Sequence, residues 1–169
     1  TIPINLGAAN DSFDLNNDGV FDVVGRANSV NYAFKQDGTY TVHARVTDKD
    51  GGYTDYTTSV LVANAAPVVT GFTNSASTLG NAQPGAVVSF SGSFTDAGVL
   101  DQHTVVIDWG DGTSSTAGVS ATNGKGTATG THKYASAGVY TVNLRLSDDA
   151  RPAGVATATT QVYVTGVSL

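Results

Sequence analysis

The chain has no cysteine and no methionine, and only 13% of its 169 residues are charged. Without a thiolate it offers no cysteine nucleophile, no zinc–thiolate site and no cross-link through sulfur. The missing disulfides do not assign it to a reducing compartment, because a secreted domain of this length can be stable without them. No apolar run approaches the roughly 18 residues of a membrane-spanning helix, and no signal-peptide pattern is present. Eight Lys and Arg stand against 14 acidic residues, giving a net charge of −6 and a pI near 4.6. That balance argues against nucleic acid and anionic membrane surfaces, which need basic patches. Opening at Thr1 without a methionine anywhere, the chain reads as a processed product or an excised segment.

What is present points to strands. Apolar residues make up 40%; they are mostly Val and Ala, so the expected core is thin. Thr, Ser, Gly and Asn are abundant, and β-branched residues suit a pleated surface better than a helix. The sequence predicts an all-β protein. Its length fits one large domain or two small ones.

The chain repeats itself. Phe34–Asp48 (FKQDGTYTVHARVTD) matches Tyr134–Asp148 (YASAGVYTVNLRLSD) at an offset of 100 without a gap. After a two-residue insertion near Arg151-Pro152, Thr57–Val62 matches Thr159–Val164. In each copy apolar and polar residues alternate (Tyr40, Val42, Ala44, Val46; Tyr140, Val142, Leu144, Leu146), the mark of a strand with one buried face. Gly38 and Gly138 supply turn freedom before these strands. Further strands are predicted over Ala86–Gly92, Val105–Trp109 and Thr116–Ala121, separated by turns such as Asn123-Gly124. The expected boundary is Asn64-Ala65-Ala66-Pro67, giving domains 1–63 and 64–169.

Asp108-Trp109-Gly110-Asp111-Gly112-Thr113, His132-Lys133-Tyr134 and Gly138-Val139-Tyr140-Thr141-Val142 together resemble the PKD (polycystic kidney disease) domain family. The resemblance covers Ala65–Thr165 fully and Ser29–Ala63 as a C-terminal half. It implies immunoglobulin-like sandwiches in tandem, extracellular location and surface arrays or hydrolase accessories. The first copy lacks W-G-D-G; its nearest counterpart is Phe13–Gly19. If Asp14 corresponds to Asp108, then 13 residues precede it, whereas Asp108 lies 43 positions after Ala65. The first sandwich is then short by about 30 residues. A second register places Thr1–Leu6 after a lost turn and Asp14–Asp22 as an inserted loop. Either way the first sandwich is incomplete, and an open sheet edge invites pairing. The chain is then an excerpt of a longer array, a compact half-domain, or a subunit completed by strand donation, with Thr1–Leu6 or Gln161–Leu169 as donor.

Asp14, Asn16, Asp18, Val20 (through its carbonyl) and Asp22, with Gly19 at the bend, carry the oxygen spacing of a calcium loop. Gly25 stands where an EF-hand has its bidentate Glu, so the loop resembles shorter calcium loops; the alternative is an Asx turn that caps itself. Asp48, Asp50, Asp96, Asp101, Asp148 and Asp149 are turn carboxylates that a calcium junction can use. Trp109 is expected in the core, with Asp111-Gly112 shaping its turn rather than a carboxylate pair for glycoside hydrolysis. His43, His103 and His132 are scattered, and no G-x-S-x-G elbow occurs. No catalytic residues are expected. Tyr53 and Tyr56 are the candidates for an exposed stacking platform.

These readings converge on a non-enzymatic, calcium-stabilised structural or adhesive module of an extracellular surface protein or filament. Neighbouring repeats, copies of itself, polysaccharide or a protein matrix are its expected partners. The rival is a polymer-binding accessory module of a secreted hydrolase.

Overall fold

Alternating apolar and hydroxyl side chains become strands throughout the computed structural model, which describes residues 2–5, 11–25 and 29–166. Among these residues there is no helix. Two units separate, Thr1–Ala63 and Asn64–Leu169.

The first unit holds β1 (Ile2–Asn5), β2 (Asp11–Asp14), β3 (Ser29–Tyr32), β4 (Gly38–Thr47) and β5 (Tyr53–Val62). β1 pairs with β3, and a second sheet runs β2-β4-β5, all antiparallel. Phe13, Leu15, Val42, Ala44 and Val60 form its core.

The second unit holds β6 (Val68–Asn74), β7 (Val87–Thr95), β8 (Thr104–Asp108), β9 (Ser114–Thr116), β10 (Gly118–Thr122), β11 (Lys125–Lys133), β12 (Gly138–Ser147) and β13 (Val155–Val164). Its sheets run β10-β11-β7-β6 and β13-β12-β8-β9. Their inner faces meet on Trp109, Tyr134, Phe90, Phe94, Ile107 and Leu144. Each such side chain contributes about 1.5–3 kcal/mol on burial, so the two-sheet core dominates this unit's stability.

Strand register relates the units. Ala44 faces Phe13 on β2 and Tyr56 on β5, as Leu144 faces Ile107 on β8 and Ala158 on β13. His43 opposite Asp14 therefore matches Asn143 opposite Asp108. Ile2 opposite Tyr32 likewise matches Val88 opposite His132, which puts β1 in the place of part of β7. By these pairings Asp14 stands opposite β4 as Asp108 stands opposite β12. Among the described residues the first unit has no counterpart of β6, β9 or β10.

The proposed donor segments are occupied within their own units. Ile2–Asn5 pairs with β3, and Gln161–Val164 pairs with β12. Thr1, Leu6 and residues 167–169 lie outside the described residues.

Candidate metal centre

Three aspartates meet at one end of the second unit. Asp96, Asp101 and Asp148 are all buried, and one carboxylate oxygen from each lies within 4.8 Å of the others. The turn after β7 places the first two. Asp96 Oδ1 accepts the Gly98 N–H at 2.9 Å, and the Asp101 N–H bonds the Gly98 carbonyl at 3.0 Å. The Asp96 N–H reaches the Gly124 carbonyl at 2.8 Å, tying this turn to the Asn123-Gly124 hairpin.

Asp148 arrives from the end of β12. Its Oδ1 accepts N–H groups of Ala150 at 3.2 Å and Gly154 at 2.7 Å, and its Oδ2 accepts the Asn64 side-chain amide at 2.9 Å. A Cβ at Gly98 would collide with Asp101 Oδ2, and one at Gly154 with Asp148 Oδ2. Both glycines thus leave room for the carboxylates.

Three carboxylates side by side away from water repel one another strongly. His103 offers the neighbouring titratable nitrogen: its Nε2 lies 2.8 Å from Asp96 Oδ2, with both side chains buried. A hard divalent cation with an all-oxygen shell fits this donor set, calcium above all because its coordination is large and flexible.

The loop Asp14–Asp22 presents its acids differently. Phe13 and Val23 close it with reciprocal backbone hydrogen bonds at 2.8 and 3.1 Å. Asp14 accepts N–H groups of Asp18 at 3.2 Å and Gly19 at 2.9 Å. Asn16 Oδ1 accepts the Asp18 N–H, Asp18 Oδ1 accepts that of Val20, and Asp22 Oδ2 that of Leu15. Asn17 at φ 58° and Gly19 at φ 87° make the bends. The loop satisfies itself through Asx hydrogen bonds, while each carboxylate oxygen keeps a second lone pair. Among the described residues, Asp96, Asp101 and Asp148 are the only three acids that converge so tightly.

Tyr53 opens β5 directly after the Asp48–Gly52 turn, Tyr56 lies further along the strand, and the two are 61% and 53% exposed. Tyr53 pairs with Thr47 and Tyr56 with Ala44, so they point to opposite faces and share no platform. On the outer face the Arg45 guanidinium stacks on Tyr53 at 3.9 Å and on Phe21 at 5.0 Å. It also grips Asp55 with two hydrogen bonds of 2.6 and 2.8 Å. The Arg45 bonds hold the Asp55 carboxyl below its usual range.

Around the W-G-D-G turn, Trp109 and His132 stack at 4.9 Å with their planes 4° apart. Asp111 accepts hydrogen bonds from the Thr113 hydroxyl and N–H and lies 2.7 Å from His132 Nε2. Burial pushes its pKa up, but these bonds together hold it below the usual carboxylate value. Burial, with Asp111 and Tyr140 nearby, pushes the Tyr134 phenol well up, and its hydroxyl donates to the Trp109 carbonyl at 3.1 Å. The set locks a turn onto the core.

A family model described as PKD domain matches residues 64–165. The chain belongs to the PKD domain family. The second unit is thus an immunoglobulin-like PKD sandwich. Similar solved structures include the PKD domain of an M14-like peptidase from Thermoplasmatales archaeon SCGC AB-540-F20, at 23% identity and TM-score 0.48, covering 60% of this chain and 98% of that one. The PKD1 domain of Vibrio anguillarum Epp is similar at 24% identity and TM-score 0.43, covering 62% and 100%. The fibronectin(III)-like modules of Clostridium thermocellum CbhA are similar at 15% identity and TM-score 0.42, covering 98% and 83%. No curated protein matches. Among the described residues no helix is long and apolar enough to cross a membrane.

Proposed function

We propose that this PKD chain is a non-enzymatic structural or adhesive module of an extracellular protein, with calcium stabilising it at Asp96, Asp101 and Asp148. The convergence of three buried carboxylates within 4.8 Å carries the reading. A bound calcium ion would neutralise them and link the turn after β7 to the turn after β12. Asn64 also hydrogen-bonds Asp148, so the ligand set reaches the residue where the chain enters this unit. Fixing that point suits a module that keeps length and direction in a row of repeats, and neighbouring repeats or copies of itself are its partners. Asp14–Asp22 is a second place for the ion. Domains 1–63 and 64–169 are, in this reading, a shortened and a complete copy of one sandwich.

Thermal melting with calcium and with chelator tests the proposal. Calcium should raise the melting temperature of the second unit, and Asp96→Asn or Asp148→Asn should remove the rise. A wild-type curve unchanged by chelation sinks the calcium part. With Tyr53 and Tyr56 on opposite faces, nothing in their geometry favours the polymer-binding rival.

A further inference from the structure

We propose, on the reading of the first unit as a shortened copy of the second, that the outer edge of β5 is a docking site. Its occupant is an extended peptide segment with the chemistry of Asn74-Ser75-Ala76, offered from outside the unit. In the second unit the matching edge, on β13, is closed from within by residues 74–82, which follow β6. The Asn74 side-chain amide donates to the Thr160 hydroxyl and to the Gln161 carbonyl, both at 2.9 Å. The Tyr163 N–H donates to the Ala76 carbonyl and the Thr165 N–H to the Ala82 carbonyl, again at 2.9 Å. Ala76 and Ala82 are themselves part of the core, so this strap also seals the apolar interior beneath it.

Register carries the same groups into the first unit. Thr39 faces Leu61 as Val139 faces Tyr163, so the Leu61 N–H points away from β4 as that of Tyr163 points away from β12. Thr58, Ser59 and Leu61 stand where Thr160, Gln161 and Tyr163 stand, and the threonine is the same residue. Among the described residues the first unit has no counterpart of β6, and no group hydrogen-bonds the backbone of β5 on the side away from β4. Exposure follows. Thr54, Tyr56 and Thr58 on the inner face are exposed where Ala156, Ala158 and Thr160 are half-buried, and Leu61 is exposed where Tyr163 is half-buried.

β5 also lacks the usual protections of an edge strand. It has no proline and no lysine, its register with β4 is unbroken, and its one charge, Asp55, is held by Arg45. Such an edge is open to strand addition. The exposed groups say what fits. The Thr58 hydroxyl and Ser59 carbonyl accept from a side-chain amide, and the Leu61 N–H requires a carbonyl two residues further along the incoming segment. The open inner face beneath takes small apolar side chains such as alanine.

Hydrogen exchange of the full chain in chelator, with and without a synthetic peptide of the sequence Val68–Ala82, tests the site. In the free chain the Leu61 amide should exchange quickly and the Tyr163 amide slowly, and peptide should slow Leu61. Leu61→Pro removes an N–H that faces away from β4, so the β4–β5 ladder survives it. Calorimetry should show that Leu61→Pro in the chain, or Asn74→Ala in the peptide, weakens binding by about tenfold, the usual worth of a hydrogen bond. If Leu61→Pro does not fold, the peptide variant decides alone. No slowing of Leu61 at millimolar peptide, or binding indifferent to both substitutions, overturns the proposal. So does a Tyr163 amide as open as that of Leu61, which removes the strap as a precedent. A dimer of the chain alone that Leu61→Pro dissolves gives the edge to β5 of a second copy and overturns the choice of occupant. Chelator keeps calcium out of these measurements, so their outcome is separate from that of the Asp96 cluster.

Discussion

Asp48 and Asp148 hold the same seat one hundred positions apart: each accepts the N–H of a glycine, Gly52 or Gly154, whose carbonyl takes the aspartate's own N–H. The seat is buried around Asp148 and open around Asp48. What differs is the cover. In the second unit Asn64 donates its side-chain amide to Asp148 Oδ2 at 2.9 Å, and Ala66 lies where a Cβ on Gly154 would reach.

Gly154→Ala and Gly52→Ala should therefore differ in cost. A Cβ at Gly154 meets both Asp148 Oδ2 and the backbone of Ala66, whereas one at Gly52 meets only the Asp48 side chain. Backbone cannot swing aside as a carboxylate does. Gly154→Ala should cost about 1–3 kcal/mol, the usual range for overpacking, and should weaken calcium binding at the Asp96 cluster. Gly52→Ala should cost clearly less. Urea unfolding of each variant, with and without calcium, measures both effects.

Much of this architecture was legible in the sequence, and the reasons are local. Strict alternation in Tyr40–Val46 and Tyr140–Leu146 announces strands with one wet face, and the shared offset announces a shared register. Trp109 in the core follows from its place at the end of an alternating strand. Tyr53 and Tyr56 are exposed as expected, but a spacing of three on a strand changes face, which their shared segment does not show until the strand is drawn. The three-carboxylate cluster draws its ligands from two turns distant in sequence, and no spacing rule links Asp96 to Asp148.

Acid should weaken the second unit partly through Asp111. Its folded pKa lies below the unfolded value of about 3.9. A depressed carboxylate contributes stability above that unfolded pKa and loses it as pH falls through its folded value. The urea midpoint of the wild type should therefore drop faster below about pH 4 than that of Asp111→Asn. Trp109 is the sole tryptophan and is buried in this unit, so its fluorescence reads the transition there. Parallel acid limbs for the two proteins would remove Asp111 from the account.

Two glycines of the W-G-D-G turn allow a controlled comparison. Gly110 and Gly112 sit at φ 78° and 89°, in the left-handed region where a side chain is strained. A Cβ at Gly112 meets open space, while one at Gly110 would drive into the Thr141 backbone. Gly112→Ala should cost about 1 kcal/mol from backbone strain alone. Gly110→Ala should cost at least about 2 kcal/mol, because overpacking adds to the strain. Equal costs in chemical denaturation would show that the turn relaxes away from β12.

The loop Asp14–Asp22 should depend on Arg45, which lies outside it. Arg45 is stacked between Phe21 of the loop and Tyr53 of β5 while Asp55 holds its guanidinium in place. Planar stacking and a two-pronged hydrogen bond are properties of a guanidinium that an ammonium does not share. Each exposed cation–π contact is worth about 0.5–1 kcal/mol, so the effect should be local rather than global. Arg45→Lys and Arg45→Ala should both raise hydrogen exchange at Val20–Val24, with the charge retained in one and lost in the other. Exchange restored by lysine would mean that charge alone pins the loop. Unchanged exchange in both would mean that the Asx hydrogen bonds and the Phe13–Val23 bridge suffice.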